Sequence, residues 1–178
     1  NQKKCAQCLT CLRICPHQAI FLNEKERPEI VPDACFGCHL CVANCPALAI
    51  ESTAYAADQM EQQVDKDRVV IVACQRSAAL AAGPLTLPDP VRLVSVPCAN
   101  SAGVNLILKL LLAGAAKVIV AGCHDGNCRS MNGSASAQKE VSRLLTLPGI
   151  APDKVAWHSV AANETRKFAR IISDTRIA

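Results

Sequence analysis

The chain has 178 residues, of which 51% are hydrophobic and 3% aromatic, and its formal net charge is +4. This length suffices for one core of ordinary size and a small additional module. It contains no run of 18 or more apolar residues, and no signal-peptide h-region precedes a small-residue cleavage site, so we expect no membrane insertion. Because the chain begins at Asn1 and not at methionine, we expect a piece of a longer protein.

Twelve cysteines are unusual for a chain of this size. They indicate either a disulfide-rich secreted scaffold or metal clusters in a reducing compartment. Eight of them form two units that read C-x2-C-x2-C-x3-C-P. The first unit contains Cys5, Cys8, Cys11 and Cys15, and the second contains Cys35, Cys38, Cys41 and Cys45. This is the established ligation pattern of bacterial ferredoxins, in which the fourth cysteine of each unit ligates the other cluster.

The repeat therefore predicts two cross-ligated [4Fe-4S] clusters. Cluster 1 is expected on Cys5, Cys8, Cys11 and Cys45, and cluster 2 on Cys35, Cys38, Cys41 and Cys15. Cross-ligation lets about fifty residues fold with little apolar core. Zinc sites favour paired C-x2-C units, and a disulfide scaffold does not require this repeated spacing. Because an oxidised cluster with its four thiolates carries about −2, we expect no nucleic-acid partner despite the basic composition.

The segment 53–67 is polar and alanine-rich, without glycine or proline. It predicts a linker with helical propensity between a two-[4Fe-4S] ferredoxin domain at 1–52 and a second domain at 68–178.

Aliphatic runs alternate with helical patterns beyond this linker. Strands are expected at 68–73, 91–96, 117–121 and 155–160, and helices at 77–82, 101–113, 136–147 and after Asn163. Apolar strands separated by helices are typical of a parallel sheet covered on both faces. The predicted fold class is an α+β bacterial-type ferredoxin domain followed by an α/β domain with a four-stranded parallel sheet. Ser101 is the expected cap of a leucine-rich helix that packs on the sheet, with cover by a partner chain as the alternative.

The remaining cysteines follow the predicted strands. Cys74 follows the first strand, Cys98 the second, and Cys123 and Cys128 the third. The carboxyl ends of parallel strands share one edge, so we expect these four thiols to converge. Four thiolates suit a [2Fe-2S] cluster or a structural zinc. We favour iron because a third cluster would extend the electron chain, and two disulfides are not expected in a reducing cytosol. Gly122 and Gly126 are expected to give the loop unusual backbone angles.

From Arg68 to Ile172 the chain resembles the delta subunit of the methyl-viologen-reducing hydrogenase, an iron–sulfur protein that delivers electrons to heterodisulfide reductase in methanogens. The resemblance rests on the segments around Cys74 and Cys98 and on the string GCHDGNC at 122–128. Ser77 stands where that subunit tends to have a further cysteine, and Arg129-Ser130 replaces a His-Tyr pair. Since four cysteines remain, the resemblance still implies an iron–sulfur cluster here.

A double-cubane ferredoxin ahead of such a domain is similar to the C-terminal part of heterodisulfide reductase A-type flavoproteins. It is also similar to the B subunit of the quinone-interacting membrane-bound oxidoreductase. Both resemblances imply FAD in an upstream part outside these residues. They also imply partner subunits of a heterodisulfide reductase-like, hydrogenase or quinone-interacting complex. We expect a cytoplasmic protein without membrane insertion, or one peripheral to a membrane-bound complex.

The sequence thus predicts intersubunit electron transfer through two [4Fe-4S] clusters and one [2Fe-2S] cluster. No acid–base pair indicates a catalytic site, and we expect no catalytic residues. We interpret His158 as structural or surface-exposed and His17 as a solvated loop residue. We interpret His39 as a neighbour of cluster 2, and His124 as a donor to a cluster sulfur, a partner contact or a plain loop residue. The alternatives are a ferredoxin with a zinc-stabilised docking domain and an iron–sulfur redox sensor.

Overall fold

The computed structural model describes residues 1–52 and 66–175. Most of the linker predicted at 53–67 lies outside the described residues, as do the last three residues of the chain. Among the helices of the described ranges, none combines the length and apolarity that a membrane crossing requires.

The first fifty residues are built from short elements around the cysteine repeat. The elements are α1 (Thr10–Ile14), β1 (Ile20–Leu22), β2 (Pro28–Ile30), a 3-10 turn (Pro32–Ala34) and α2 (Leu40–Ala43). Strands β1 and β2 pair antiparallel. The residues before α1 and α2, Leu9 and His39, both adopt the left-handed conformation, with φ of 59° and 61°. The two units of the sequence repeat therefore share a backbone conformation where each cysteine run turns into its helix.

The second part of the chain is an α/β domain. Its elements are β3 (Val69–Cys74), α3 (Ala78–Ala82), β4 (Val91–Val96), a 3-10 turn (Ala99–Ser101), α4 (Val104–Leu112), β5 (Lys117–Gly122), α5 (Gly133–Leu144), β6 (Val155–Ser159) and α6 (Thr165–Ser173). The strands form one sheet in the order β4-β3-β5-β6, and every neighbouring pair is parallel. The predicted four-stranded parallel sheet is confirmed.

Helices cover both faces of this sheet. Strand β3 is buried along its whole length, and its side chains alternate between the two faces. Val70 and Val72 pack with Leu106 and Ile107 of α4 on one face. On the other face, Ile71 packs with a layer that includes Phe168 of α6. A central strand with apolar side chains on both faces is the reason why β3 reads as a continuous hydrophobic run.

Two helix starts differ from the sequence prediction. Helix α4 begins at Val104 behind Gly103, and Ser101 lies in the preceding 3-10 turn and does not cap the helix. Helix α5 begins at Gly133, three residues before the predicted start. The leucine-rich helix α4 packs on the sheet as expected, although Leu112 at its end is 86% exposed.

Candidate metal centres

The eight repeat cysteines line two cavities. The first cavity, of about 310 Å³, is lined by Cys5, Cys8, Cys11 and Cys45. The second, of about 220 Å³, is lined by Cys15, Cys35, Cys38 and Cys41. Each cavity thus brings together three cysteines of one unit and the fourth cysteine of the other, which is the grouping that the sequence predicts. The two cavities also share wall residues, including Ile20, Ile30 and Ile50, and therefore lie side by side.

The surroundings of these cysteines fit a bound cluster. The backbone N–H of Ala19 donates to Cys15 Sγ at 3.4 Å, and that of Ala49 donates to Cys45 Sγ at 3.3 Å. Within residues 1–52 and 66–175, no three histidine, cysteine or carboxylate side chains are arranged to hold a single metal ion. Four thiols spread around each cavity, with an N–H donor at one of the four sulfurs, suit a multi-iron group better than one ion.

In the two cavities, burial raises the pKa values of some thiols, and a hydrogen bond lowers the pKa of another. Burial raises the pKa of Cys41 to about 12, and it also raises the pKa of Cys11. The hydroxyl of Thr10 lowers the pKa of Cys8. Burial also raises the pKa of Cys38. Because thiolates bind iron, these cysteines lose their protons when the group binds.

The four remaining cysteines converge at one edge of the parallel sheet. Cys74 is the last residue of β3, and its Sγ lies 3.9 Å from Cys123 Sγ, directly after β5. The sulfurs of Cys98 and Cys128 both lie against the first residue of α5, Gly133. Cys74 Sγ also donates to the carbonyl of Pro97, the residue before Cys98, at 3.9 Å. The strand ends therefore collect four thiols that are widely scattered along the sequence.

Hydrogen bonds between these thiols lower the pKa values of two of them and help to raise those of the other two. Bonds from Cys123 and then Cys98 lower the pKa of Cys128 to about 2, and a bond from Cys123 lowers the pKa of Cys74 to about 6. The pKa values of Cys98 and Cys123 are raised, first by the bond with Cys128 and further by burial. A cation at this point favours the thiolate form of all four.

Glycines allow the close approach of the elements around this third set of cysteines. A Cβ at Gly133 would lie 2.5 Å from Cys98 Sγ and 3.4 Å from Cys128 Sγ. A Cβ at Gly122 would lie 2.3 Å from the Trp157 ring. Gly126 has φ of +79°, as the sequence prediction expects. The prediction of an unusual backbone angle at Gly122 was wrong, because Gly122 instead provides space for neighbouring side chains.

The histidines take specific places beside the cysteines. His39 Nδ1 lies 3.0 Å from Ser101 Oγ, which follows Cys98 by three residues. His124 Nε2 lies 2.7 Å from Glu164 Oε2, and the same carboxylate oxygen accepts from the N–H of Ala161. The hydrogen bond from the Ala161 N–H, and then the bond with His124, lowers the pKa of Glu164 to about 2. His124 therefore joins the cysteine loop to the segment that precedes α6.

The structure corrects the interpretation of His17 and adds detail to that of His158. His17 is half-buried and stacks on Phe36 with ring centroids 4.1 Å apart, so the prediction of a solvated loop residue was wrong. His158 in β6 borders an open cavity that also touches Cys123, and burial lowers its pKa. Neither ring position was evident from the sequence, because both depend on neighbours distant along the chain.

The second cavity lies next to the third set of cysteines. His39 bonds with Ser101, and in a second contact the guanidinium of Arg129 lies 5.1 Å from the centre of the Phe36 ring. The N–H of Ser101 in turn donates to the carbonyl of Cys98 at 2.8 Å. The residues that closely follow Cys98 and Cys128 thus contact the loop that carries Cys35 and Cys38. The sequence pattern predicts both sets of cysteines but not this contact.

Comparison with known proteins gives the family. The profile described as methyl-viologen-reducing hydrogenase, delta subunit, matches residues 69–177, which is more than half of the chain. The chain belongs to this family. The delta-subunit match covers all four cysteines of the third set, and residues 1–52 match a 4Fe-4S dicluster domain. The resemblance stated from the sequence motifs is confirmed.

Individual relatives agree with the delta-subunit assignment. The iron-sulfur D subunit of the F420-non-reducing hydrogenase of Archaeoglobus profundus is 35% identical over 106 residues, 57% of this chain and 77% of the relative. The iron-sulfur D subunit of the vhu F420-non-reducing hydrogenase of Methanopyrus kandleri is 33% identical over 49% of this chain and 68% of its own length. A 48-residue stretch, 26% of this chain, is 42% identical to 10% of the archaeal-type glutamate synthase (NADPH) of Thermotoga maritima.

Proposed function

We propose that this chain transfers electrons between subunits of a larger oxidoreductase complex of the heterodisulfide reductase or hydrogenase type. Residues 1–52 form its two-[4Fe-4S] domain, 53–67 a linker and 68–178 its delta-subunit-like domain. The family membership supports this proposal, since the relatives are named as iron-sulfur subunits of hydrogenases. The proposal places any FAD on another part of the assembly.

The observation that carries the proposal is the serial arrangement of three cysteine sets. The first and second cavities share walls, and the second cavity contacts the residues that follow Cys98 and Cys128. Iron–sulfur clusters in these three sites supply one-electron transfer. A series of three neighbouring one-electron sites suits a carrier between two partners.

The chain's own residues hold and shield these sites. The eight repeat cysteines are the proposed ligands of two [4Fe-4S] clusters, in the cross-ligated grouping given above. Ile20 and the buried Leu40 border the second cavity and limit water access to it. The N–H groups of Ala19 and Ala49 donate to sulfurs and favour their negatively charged form.

For the third set we propose a [2Fe-2S] cluster ligated by Cys74, Cys98, Cys123 and Cys128. Cys74 Sγ and Cys123 Sγ lie 3.9 Å apart, and the sulfurs of Cys98 and Cys128 both lie close to Gly133. A two-iron cluster with four cysteine ligands needs two thiolates at each iron. Cys123 Sγ donates to Ser77 Oγ at 3.4 Å, and this hydroxyl becomes the donor once Cys123 is a deprotonated iron ligand.

Metal analysis tests this composition directly. Protein purified without oxygen is expected to contain about 10 iron atoms and about 10 acid-labile sulfides per chain. The variant Cys98→Ala is expected to retain about 8 of each, because only the third set loses a ligand. EPR of the reduced protein should then lose the [2Fe-2S] signal and keep the signals of two interacting cubanes. About 8 irons with one zinc in the unaltered chain would contradict the third cluster and support a zinc-stabilised domain.

A further inference from the structure

A buried hydroxyl group lies against the third set of cysteines. Ser77 is only 4% exposed, and its Oγ lies 3.4 Å from the Sγ of Cys123. Cys123 is itself 9% exposed. The two side chains therefore meet in the interior of the protein, where a polar group that loses its partner is not compensated by bulk water.

The backbone holds this hydroxyl at the end of β3. The N–H of Ser77 donates to the carbonyl of Cys74 at 3.1 Å, and the carbonyl of Ser77 accepts from the N–H of Ala81 in α3 at 3.0 Å. Ser77 thus belongs to the turn that leads from β3 into α3. Its side chain contacts the neighbouring strand end, because Cys123 follows β5 and β5 pairs with β3. The Ser77 hydroxyl therefore joins two of the strand ends that carry cysteines.

A second hydroxyl lies at the same distance from a cysteine sulfur, but at the surface. Thr10 Oγ1 lies 3.4 Å from Cys8 Sγ in the first cysteine unit, and Cys8 is exposed. Water replaces a hydroxyl that is removed from an exposed sulfur. A hydrogen bond shielded from water is electrostatically stronger than one in contact with it. The two contacts differ in burial and not in distance, so Thr10 is a matched control for Ser77.

We propose that Ser77 is a positioning residue that raises the reduction potential of the third cluster through Cys123. This inference rests on the proposed iron–sulfur cluster at Cys74, Cys98, Cys123 and Cys128. When Cys123 binds iron as a thiolate, its sulfur has no proton left, so the Ser77 hydroxyl becomes the donor. A donor to a ligand sulfur stabilises the more negative, reduced state of the cluster. The third cluster therefore accepts an electron more readily than it would without this hydroxyl.

The experiment is an EPR-monitored redox titration of the full chain with its clusters bound. Ser77→Ala is expected to lower the potential of the third cluster and to leave both [4Fe-4S] potentials unchanged. At a fixed potential near the unaltered midpoint, the ratio of reduced to oxidised third cluster should fall about tenfold, equivalent to about 59 mV for one electron. Thr10→Val should change the corresponding ratio of cluster 1 by less than about threefold, because water takes the place of the hydroxyl.

Two further variants separate the hydroxyl from the packing around it. Ser77→Thr retains a hydroxyl, whereas Ser77→Val has nearly the same shape as Ser77→Thr and no hydroxyl. We expect Ser77→Thr to titrate like the unaltered chain and Ser77→Val to titrate like Ser77→Ala. Pulsed EPR of the reduced protein in deuterated water should detect one exchangeable hydrogen fewer near the third cluster in Ser77→Ala and Ser77→Val. A purely structural role of Ser77 would not produce this spectroscopic difference.

The outcomes distinguish this inference from the proposed function. If the third cluster has the same potential in Ser77→Ala as in the unaltered chain, or in Ser77→Val as in Ser77→Thr, the inference fails and the proposed function stands. Loss of the third cluster from Ser77→Ala and Ser77→Val, with about 8 irons remaining, would show that Ser77 holds the cluster and would also overturn the inference. About 8 irons in the unaltered chain would remove the third cluster from the proposed function, and the inference with it.

Discussion

At the scale of single residues, the third set of cysteines depends on glycines, because their lack of a side chain leaves room for the neighbouring groups. Gly133 is the first residue of α5 and lies against the sulfurs of Cys98 and Cys128. Gly122, at the end of β5, leaves room for the ring of Trp157 and for Ser134, whose hydroxyl donates to the carbonyl of Cys123. The thiols meet because the backbone around them can approach closely.

A methyl group at Gly133 tests this close packing. In Gly133→Ala the new Cβ would lie 2.5 Å from Cys98 Sγ, so the sulfur must move away from its partners. We expect the iron content to fall from about 10 to about 8 per chain, with both [4Fe-4S] EPR signals retained. Gly83→Ala is the control, because its Cβ would meet only the carbonyl oxygens of Leu80, at 3.3 Å, and Ala79. Full iron content in Gly133→Ala would show that the site tolerates the displacement.

At the scale of the elements, the sheet gathers the third site and the helices make it rigid. Three parallel strands deliver Cys74, Cys98 and Cys123 to one edge, as parallel topology requires. Helix α6 covers the opposite face from α4 and places Phe168 in the core without solvent exposure. The position of the strand ends therefore depends on core packing that lies away from the cysteines.

Truncation of Phe168 separates sheet stability from cluster binding. We expect Phe168→Ala to lower the free energy of unfolding of the α/β domain by about 3–5 kcal/mol, because it leaves a large cavity beside the sheet. Native-state hydrogen exchange of the amides of β5 measures this loss. Leu112→Ala, at a residue that is 86% exposed, should change it by less than about 0.5 kcal/mol. Equal effects of the two substitutions would contradict the described packing.

At the scale of the whole molecule, the two parts of the chain meet at the second cavity. Two side-chain contacts are involved: His39 with Ser101, and Phe36 with Arg129. Each joins the loop of the second cysteine unit to residues that closely follow a cysteine of the third set. The contact surface and the proposed electron route therefore coincide.

Replacement of His39 by the residue of the first unit tests this contact. His39→Leu is expected to keep the local backbone, because Leu9 adopts the same conformation at φ of 59°. It removes the bond to Ser101, so we expect roughly three- to tenfold faster hydrogen exchange in the segment 99–103. Leu9→Ala should leave that segment unchanged. If His39→Leu has no effect on exchange, the bond does not hold the two parts together.

Much of the fold follows from local pattern. The four strands of the parallel sheet lie within one residue of the expected bounds, because uninterrupted aliphatic runs between polar segments favour buried parallel strands. Helix starts were less well predicted. Ser101 has the residue type of a cap, but its hydroxyl pairs with His39 and the helix starts behind Gly103. Local propensity does not report such a partner, which lies 62 positions away.

By itself, the sequence determined the cysteine inventory, the repeat that groups eight of them, and the strand order along the chain that directs the other four to one edge. These are properties of spacing and periodicity, which act over short distances. Only the tertiary structure decided that the second cavity lies next to the third set, that His39 bonds with Ser101, and that Gly133 leaves room for two sulfurs. Those facts arise where elements distant in sequence pack together, and no local pattern of residues encodes them.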